Sequence, residues 1–475
     1  MRPTRKSRPI SRSGSDMSLR ELSLWWDQLA ASEINANRAQ AAGNIECDVV
    51  IVGAGYTGLW SAYWLKKLRP ELDVVMVEAE VVGFGASGRN GGWCSALFPA
   101  SLDKIAQSSS RDGAIAMHRT MQNYISFIGQ TLRSENIDCD WHHGGNIYLA
   151  RSASQSKRAQ EELKEWQEWG FSDEDHYWLS VQEATQRIAA SNVMGGVFTP
   201  HCARIHPAKL VRGLARVVET QGTRIFERSR VTEIEAQRIS GDSFAVNARY
   251  VVRATEGYTA TLPEGKRELV PVYSLMVATE PLSEALLSSI GLRNRELFAD
   301  YRHLIIYGQL TADNRIAFGG RGAPYHFGSA ISPEFDRNPR VHSAIEKVVV
   351  DLLPQLRDIR FTHHWGGPLA IPRDWYPSVN FDATSGMASA GGYVGDGVAT
   401  SALAGHTLAE LITGQDTERT RLPWVNRRSP KWEMEPLRWL GTNAGLRMMT
   451  LADVEERITN KQSVLANVFS KISGR

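Results

Sequence analysis

Val49-Val50-Ile51-Val52-Gly53-Ala54-Gly55-Tyr56-Thr57-Gly58 decides how this chain is read. An apolar run leads into G-x-G-x-x-G, and Glu78 stands twenty positions beyond the last glycine. The spacing predicts a buried strand, a tight turn, a helix and a second strand arranged around a dinucleotide. Gly53 permits the turn, Gly55 lets backbone approach a pyrophosphate, and Gly58 lets the helix pack on the sheet. Tyr56 and Thr57 lie at the helix start, where amide N–H groups and the helix dipole favour phosphate oxygens. Glu78 can accept hydrogen bonds from both hydroxyls of an adenosine ribose and would repel a 2′-phosphate. The helix is expected from Thr57 to about Leu68, ending before Pro70. Val74-Val75-Met76-Val77 is the second buried strand.

A second glycine cluster follows at once: Gly83-Phe84-Gly85-Ala86-Ser87-Gly88-Arg89-Asn90-Gly91-Gly92-Trp93. This density of glycine suits neither a packed helix nor an interior strand. It brings many backbone amides to one ligand, with Ser87 and Arg89 as added donors to phosphate or ring acceptors.

The rest of the chain bounds the answer. Its 475 residues are 42% hydrophobic and 22% charged, ordinary for a globular protein with a large core. The formal net charge of +2 gives no general case for nucleic acid. Arg2, Arg5, Lys6, Arg8 and Arg12 make the first residues basic, and residues 1–17 are expected to be a disordered tail. Cys47, Cys94, Cys139 and Cys202 are widely spaced with no C-x-x-C, so no zinc site is expected and a reduced, cytoplasmic setting fits. No apolar run is long enough to span a membrane. His363-His364 would face opposite ways on a strand, which argues against a shared metal. His206, before Pro207, reads as structural.

Taken together, G-A-G-Y-T-G, Glu78 and G-F-G-A-S-G-R-N-G-G resemble the FAD-dependent D-amino acid oxidase superfamily. Within it the chain is most similar to the gamma-glutamylputrescine oxidase group of amine oxidoreductases. Further matches are Ile205-His206-Pro207, Leu310–Arg315 and Gly391–Val398, and the likeness covers roughly residues 46–415. The resemblance implies an α/β fold: a glutathione-reductase-like, Rossmann-type FAD-binding domain interleaved with a mixed-sheet α+β substrate domain. The expected organisation is a leading helix (Leu19 to Leu29) and connector over 18–45, then an FAD domain assembled from 46–113, 200–265 and 366–416. The substrate domain takes 114–199 and 266–365, and a C-terminal extension takes 417–475.

The resemblance also implies site residues. Ala86, Ser87, Arg89, Asn90, Gly91 and Gly92 would meet FAD, Val231 the adenine through its backbone, and Ala254 the second β–α crossing. Gly395, Asp396, Gly397 and Val398 would bring a helix N-terminus toward the flavin C2 carbonyl and N1, where reduced flavin carries negative charge. The relatives' S-G-H-G-V is here Val394-Gly395-Asp396-Gly397-Val398, and Asp396 is expected as a helix N-cap. Trp93 stands where the gamma-glutamylputrescine enzyme has a smaller polar residue, so it should reshape the pocket. Tyr307, Arg321 and Trp365 are the other pocket candidates, Arg321 as a bidentate clamp for a carboxylate. No residue is assigned as the catalytic acid or base.

The activity implied is oxidation of an amine C–N bond, with oxygen or an electron carrier as acceptor. The alternatives are an oxidase or dehydrogenase for an amino acid or a sarcosine-like N-methyl amino acid, and a non-catalytic dinucleotide-binding module.

Overall fold

Gly43–Val52 is the central strand of the first sheet because its second half is apolar on both faces: Val49, Val50 and Ile51 are fully buried. Among the described residues, 18–34 and 36–466 of the computed structural model, this strand pairs in parallel with Val74–Val77 on one side and Phe244–Arg253 on the other. Arg224–Phe226 extends the sheet beyond Val74–Val77, and Met387–Gly391 beyond Phe244–Arg253, again in parallel. The antiparallel strand Ser378–Asp382 closes that edge. Every parallel strand therefore ends at the same side of the sheet, where ligands of open α/β sheets bind.

Two helices mark that side. Tyr56–Leu68 and Gly397–Ile412 touch at their starts through the Thr57 and Tyr393 hydroxyls, 2.9 Å apart. Further along, Trp64 stacks on His406 at 3.6 Å, and a Cβ on Gly405 would lie 2.6 Å from Ser61 N. Contacts in matching order along both helices mean that they run in the same direction. Their positive dipole ends thus converge at the carboxyl ends of the strands.

The second sheet is mixed, in the order 361–372, 269–279, 316–320, 306–310, 297–300, 146–150, 195–199, 177–179. Leu297–Asp300 pairs with Asn146–Ala150 in parallel, and the other neighbours are antiparallel. Phe361–Pro372 stays paired with Leu269–Thr279 through Pro372, so the expected return to the first domain at 366 comes several residues too early. The apolar periodicity of one uninterrupted strand carries no mark of the change of domain.

The leading segment also departs from expectation. The single helix from Leu19 to Leu29 is divided into a 3₁₀ turn, Leu19–Leu22, and a short helix, Leu24–Asp27. Ser23 separates them in an extended conformation, capping Trp26 N and donating its hydroxyl to Gly88 O. Leu22, Trp25 and Trp26 would share one face of a straight helix, and the break lets Leu24, which that helix would turn the other way, be buried with them. The expected disordered tail, 1–17, lies outside the described residues. In the C-terminal extension, helix Leu437–Thr459 is tied to the second sheet: Asp453 accepts from His303 N and Leu304 N, and Glu456 pairs with Arg158. No described helix is long and apolar enough to cross a membrane.

Candidate active site

The glycine turn is closed by contacts that exclude side chains. Gly53 has φ +104°, and a Cβ there would sit 2.5 Å from Ala254 O; on Gly58 it would sit 2.1 Å from Gly53 O. Ala254 N donates in turn to Val52 O. Glu78 reaches back into the turn: its carboxylate accepts from Ala54 N at 2.8 Å and from Glu80 N at 3.0 Å. Burial pushes the Glu78 carboxyl above its usual range, while those two amides pull it down. Glu78 backbone pairs with Phe226 O and Ser229 N, which brings Val231 to the same edge. The turn, Glu78, Val231 and Ala254 are thus brought together.

Gly55 precedes the helix without a capping side chain. Ser87 supplies one, since its hydroxyl oxygen accepts from Tyr56 N at 2.8 Å and keeps its own proton for another acceptor. This bond and the one from Gly83 N to Ala54 O, 3.1 Å, join the two glycine clusters. The Tyr56 ring points away, its hydroxyl donating to Pro207 O.

Arg89 requires a correction. Expected as a donor to the ligand, it is buried and engaged by protein: Asp336 at 2.6 Å, Tyr258 hydroxyl at 2.9 Å, and the carbonyls of Gly85 and Gly366. It braces the loop from behind. Asn90 likewise shapes the loop, donating to Ala86 O and Ser87 O and accepting from Gly92 N. Trp365 is also corrected, because it is 1% exposed and packs beside Trp25 instead of lining a pocket. Its indole donates to Arg89 O at 2.8 Å, as that of Trp25 does to Asn90 O at 2.8 Å. Two indole N–H groups therefore grip successive carbonyls of the loop.

Beyond the loop, Gly91 and Gly92 leave room for the second sheet. A Cβ on Gly91 would strike the Tyr307 ring at 2.5 Å, and one on Gly92 the Gln309 amide at 2.0 Å. Trp93 meets Tyr307 and Tyr148 edge-on, with centroids 6.2 and 6.3 Å apart. All three rings are half-buried. The Tyr307 hydroxyl is held by Ser274 at 2.8 Å. Tyr148 was missed in sequence; the preceding Gly144-Gly145 turn was the available signal, but nothing there tells which face of its strand meets Trp93.

Arg321 and Asp396 complete the constellation. Arg321 follows the strand Ile316–Gly320 and donates from Nη2 to Val394 O. Among the described residues the guanidinium makes no other hydrogen bond. Burial pulls Arg321 down and Asp396 raises it. Asp396 occupies the position before helix Gly397–Ile412, yet its side chain makes no capping bond, and its ψ of 37° is not the extended form of a capping residue. The expected N-cap is corrected: Asp396 stands at the cap position, but its side chain caps nothing. Burial pushes that carboxyl up to about 7, with Arg321 pulling it down. Glu256, another residue missed in sequence, holds the same turn by accepting from Gly392 N and Tyr393 N.

His206 caps helix Pro207–Thr220 by accepting from Lys209 N. A surface cleft of about 610 Å³ contains His342, His363 and His364, but they are paired with Trp365 O, Asp27 and Glu346 respectively. No group of metal-ligating residues occurs among the described residues.

Comparison with known proteins agrees with this geometry. A model of the DAO family, described as FAD dependent oxidoreductase, matches residues 48–411. Gamma-glutamylputrescine oxidoreductase of Escherichia coli (strain K12) is 31% identical over 385 residues, covering 79% of this chain and 85% of that protein. Glycine oxidase of Geobacillus kaustophilus (strain HTA426) is 23% identical over 381 residues, covering 78% and 94%. The crystal structure of glycine oxidase from Geobacillus kaustophilus has the same fold, with a TM-score of 0.66 at 21% identity, covering 81% of this chain and 100% of that one.

The residues present fit FAD. Gly53 and Gly58 admit no side chain, two helix N-termini converge, and each Glu78 oxygen retains a lone pair after taking one amide.

Proposed function

We propose that this chain, which belongs to the DAO family of FAD-dependent oxidoreductases, oxidises the C–N bond of a primary or secondary amine of the gamma-glutamylputrescine kind. Gly53–Gly58 and Ser87 would hold the pyrophosphate, Glu78 the ribose, Val231 and Ala254 the adenosine end, and Gly91, Gly92 and Gly395–Val398 the ring system. FAD held by these residues would supply the acceptor for a hydride from the carbon next to the amine nitrogen. The imine product hydrolyses to a carbonyl compound and ammonia or a smaller amine, and oxygen or an electron carrier takes the electrons.

The observation that carries this reading is the aromatic wall of Trp93, Tyr148 and Tyr307 built directly on Gly91-Gly92. Aromatic faces attract an alkylammonium group, and the half-buried rings exclude water from the carbon that reacts. Anaerobic mixing of the flavin-loaded protein with a panel of alkylamines, polyamines, gamma-glutamyl amines and amino acids is the test. Bleaching of the flavin absorbance by amines is the expected result; a protein that stays yellow with all of them overturns the reading.

A second reading, an amino-acid or N-methyl amino-acid substrate, draws on the unengaged Arg321 donors. A bidentate carboxylate contact to arginine contributes about 1.5–3 kcal/mol. Arg321→Ala is therefore expected to raise KM for carboxylate-bearing amines by roughly 10- to 100-fold, with a smaller effect on plain alkylamines. Steady-state kinetics with matched pairs of substrates checks this, and equal losses for both would remove the carboxylate role.

A further inference from the structure

The exposed apolar side chains of this protein are gathered in one place. Of the twelve large hydrophobic residues exposed among the described ones, seven lie between Met434 and Val464, in and around helix Leu437–Thr459 of the C-terminal extension. Two more flank that helix. Phe327 precedes Gly328, whose N–H donates to Glu435 at 2.9 Å, and Ile305 follows Leu304, whose N–H donates to Asp453 at 3.0 Å. Apolar area concentrated in this way marks a surface that meets something.

The helix has two faces. It packs on the protein through Arg438, Gly445, Ala452 and Glu456, which are buried at spacings of seven and four and so share one side. Leu437, Leu440, Ala444, Leu451 and Ile458 follow spacings of three, four and seven and are all exposed, Leu437 at 65% and Ile458 at 76%. They form a second stripe, turned away from the buried one and about 32 Å long.

Charges around the stripe are sorted by sign. All four acids from Met434 to Val464 are spent on the protein itself. Glu435 accepts from Gly328 N and Arg438, Asp453 from His303 N and Leu304 N, Glu455 from Ser463 and Val464 N, and Glu456 pairs with Arg158 and His303. Arg447, within the stripe between Ala444 and Leu451, is exposed, as are Arg457 and Lys461 at its end. Their side chains have no ion pair or hydrogen bond among the described residues. The surface on offer is apolar and cationic. A second copy of the chain matches it poorly: pairing two such stripes antiparallel about their middle, or parallel in register, brings the two Arg447 guanidinium groups together.

We infer that helix Leu437–Thr459 docks the protein on the surface of a bilayer containing anionic phospholipid. Apolar side chains of an amphipathic helix enter the boundary between headgroups and acyl chains, while arginine and lysine meet the lipid phosphates. The helix lies flat, since it is not apolar enough to cross. Its other side holds the protein: Asn443 exchanges two hydrogen bonds with the backbone of Tyr325, so the docked helix is fastened to the loop that follows Arg321.

Flotation of the full, flavin-loaded chain with lipid vesicles is the test, and it needs no turnover. The unaltered protein should float with vesicles of phosphatidylcholine mixed with phosphatidylglycerol, far less with phosphatidylcholine alone, and less with the mixture as salt is raised. Arg447→Gln with Arg457→Gln and Lys461→Gln should weaken binding to the mixture about 100-fold, about fivefold for each charge. Leu440→Gln with Leu451→Gln and Ile458→Gln should abolish flotation. All six positions are exposed, so both triple variants should keep the flavin content and far-ultraviolet circular dichroism of the unaltered protein. No flotation of the unaltered protein with the mixture overturns the assignment. Equal flotation with both kinds of vesicle, unchanged in the charge variant, overturns it as well. So does a dimer, seen by light scattering, that does not float and that the Leu440, Leu451 and Ile458 replacements convert to monomer, because a second copy then covers the stripe.

Discussion

Arg89→Ala should lower the unfolding free energy by about 3–5 kcal/mol, the cost of leaving one partner of a buried ion pair without the other. Arg89 is 4% exposed and Asp336 8%, and they meet at 2.6 Å. Asp336 has no alternative, since its second oxygen is buried without a hydrogen-bond partner. Burial already pushes its carboxyl up, against the pull of Arg89. Without the guanidinium its folded-state pKa climbs further, so stability is lost as pH rises and the defect should be larger at pH 8 than at pH 5. The carbonyls of Gly85 in the loop and Gly366 on the facing strand each lose a donor in the same variant, so flavin content should fall with stability. Chemical denaturation at the two pH values checks the first part, and flavin absorbance per protein the second. A double replacement, Arg89→Met with Asp336→Leu, should recover much of the stability, because it leaves no unpaired charge behind. If the single variant unfolds like the unaltered protein, the brace assigned to Arg89 is wrong.

Glu78→Arg should abolish tight flavin retention. The carboxylate holds the amides of Ala54 and Glu80, and each charge-assisted bond of this kind contributes about 1.5–3 kcal/mol. Arginine removes both acceptors and sets a cation against amide N–H groups that already carry positive partial charge. Glu78→Gln keeps an acceptor oxygen and should retain more flavin than Glu78→Arg. Gel filtration followed by the ratio of flavin to protein absorbance measures both. Full flavin content in Glu78→Arg would show that the adenosine end lies elsewhere.

These two residues also show where a sequence can be read and where it cannot. Glu78 was legible because everything that gives it meaning is nearby in the chain. A buried strand, a turn that admits no Cβ and a helix without a capping side chain are properties of neighbouring backbone, written directly as Val49–Val52, Gly53, Gly55 and Gly58. Family membership, FAD and the paired domain types followed from such contiguous runs.

Arg89 sits in an equally legible loop, yet its role was misread, because Asp336 lies 247 positions away and nothing local announces the pair. Trp365 was misplaced for the same reason: its indole partner, Arg89 O, is 276 positions distant. Asp396 holds a position where acids usually cap, and the turn there, held by Arg321 on Val394 O and by Glu256 on Gly392 N, leaves its side chain without a capping bond. Side-chain direction at such a site is chosen by packing and hydrogen bonds from other elements. Composition and periodicity describe what a segment can do alone. Strand, turn and cofactor class were therefore in the chain itself, while the division between residues that brace the loop and residues that form the aromatic wall arose when distant segments met.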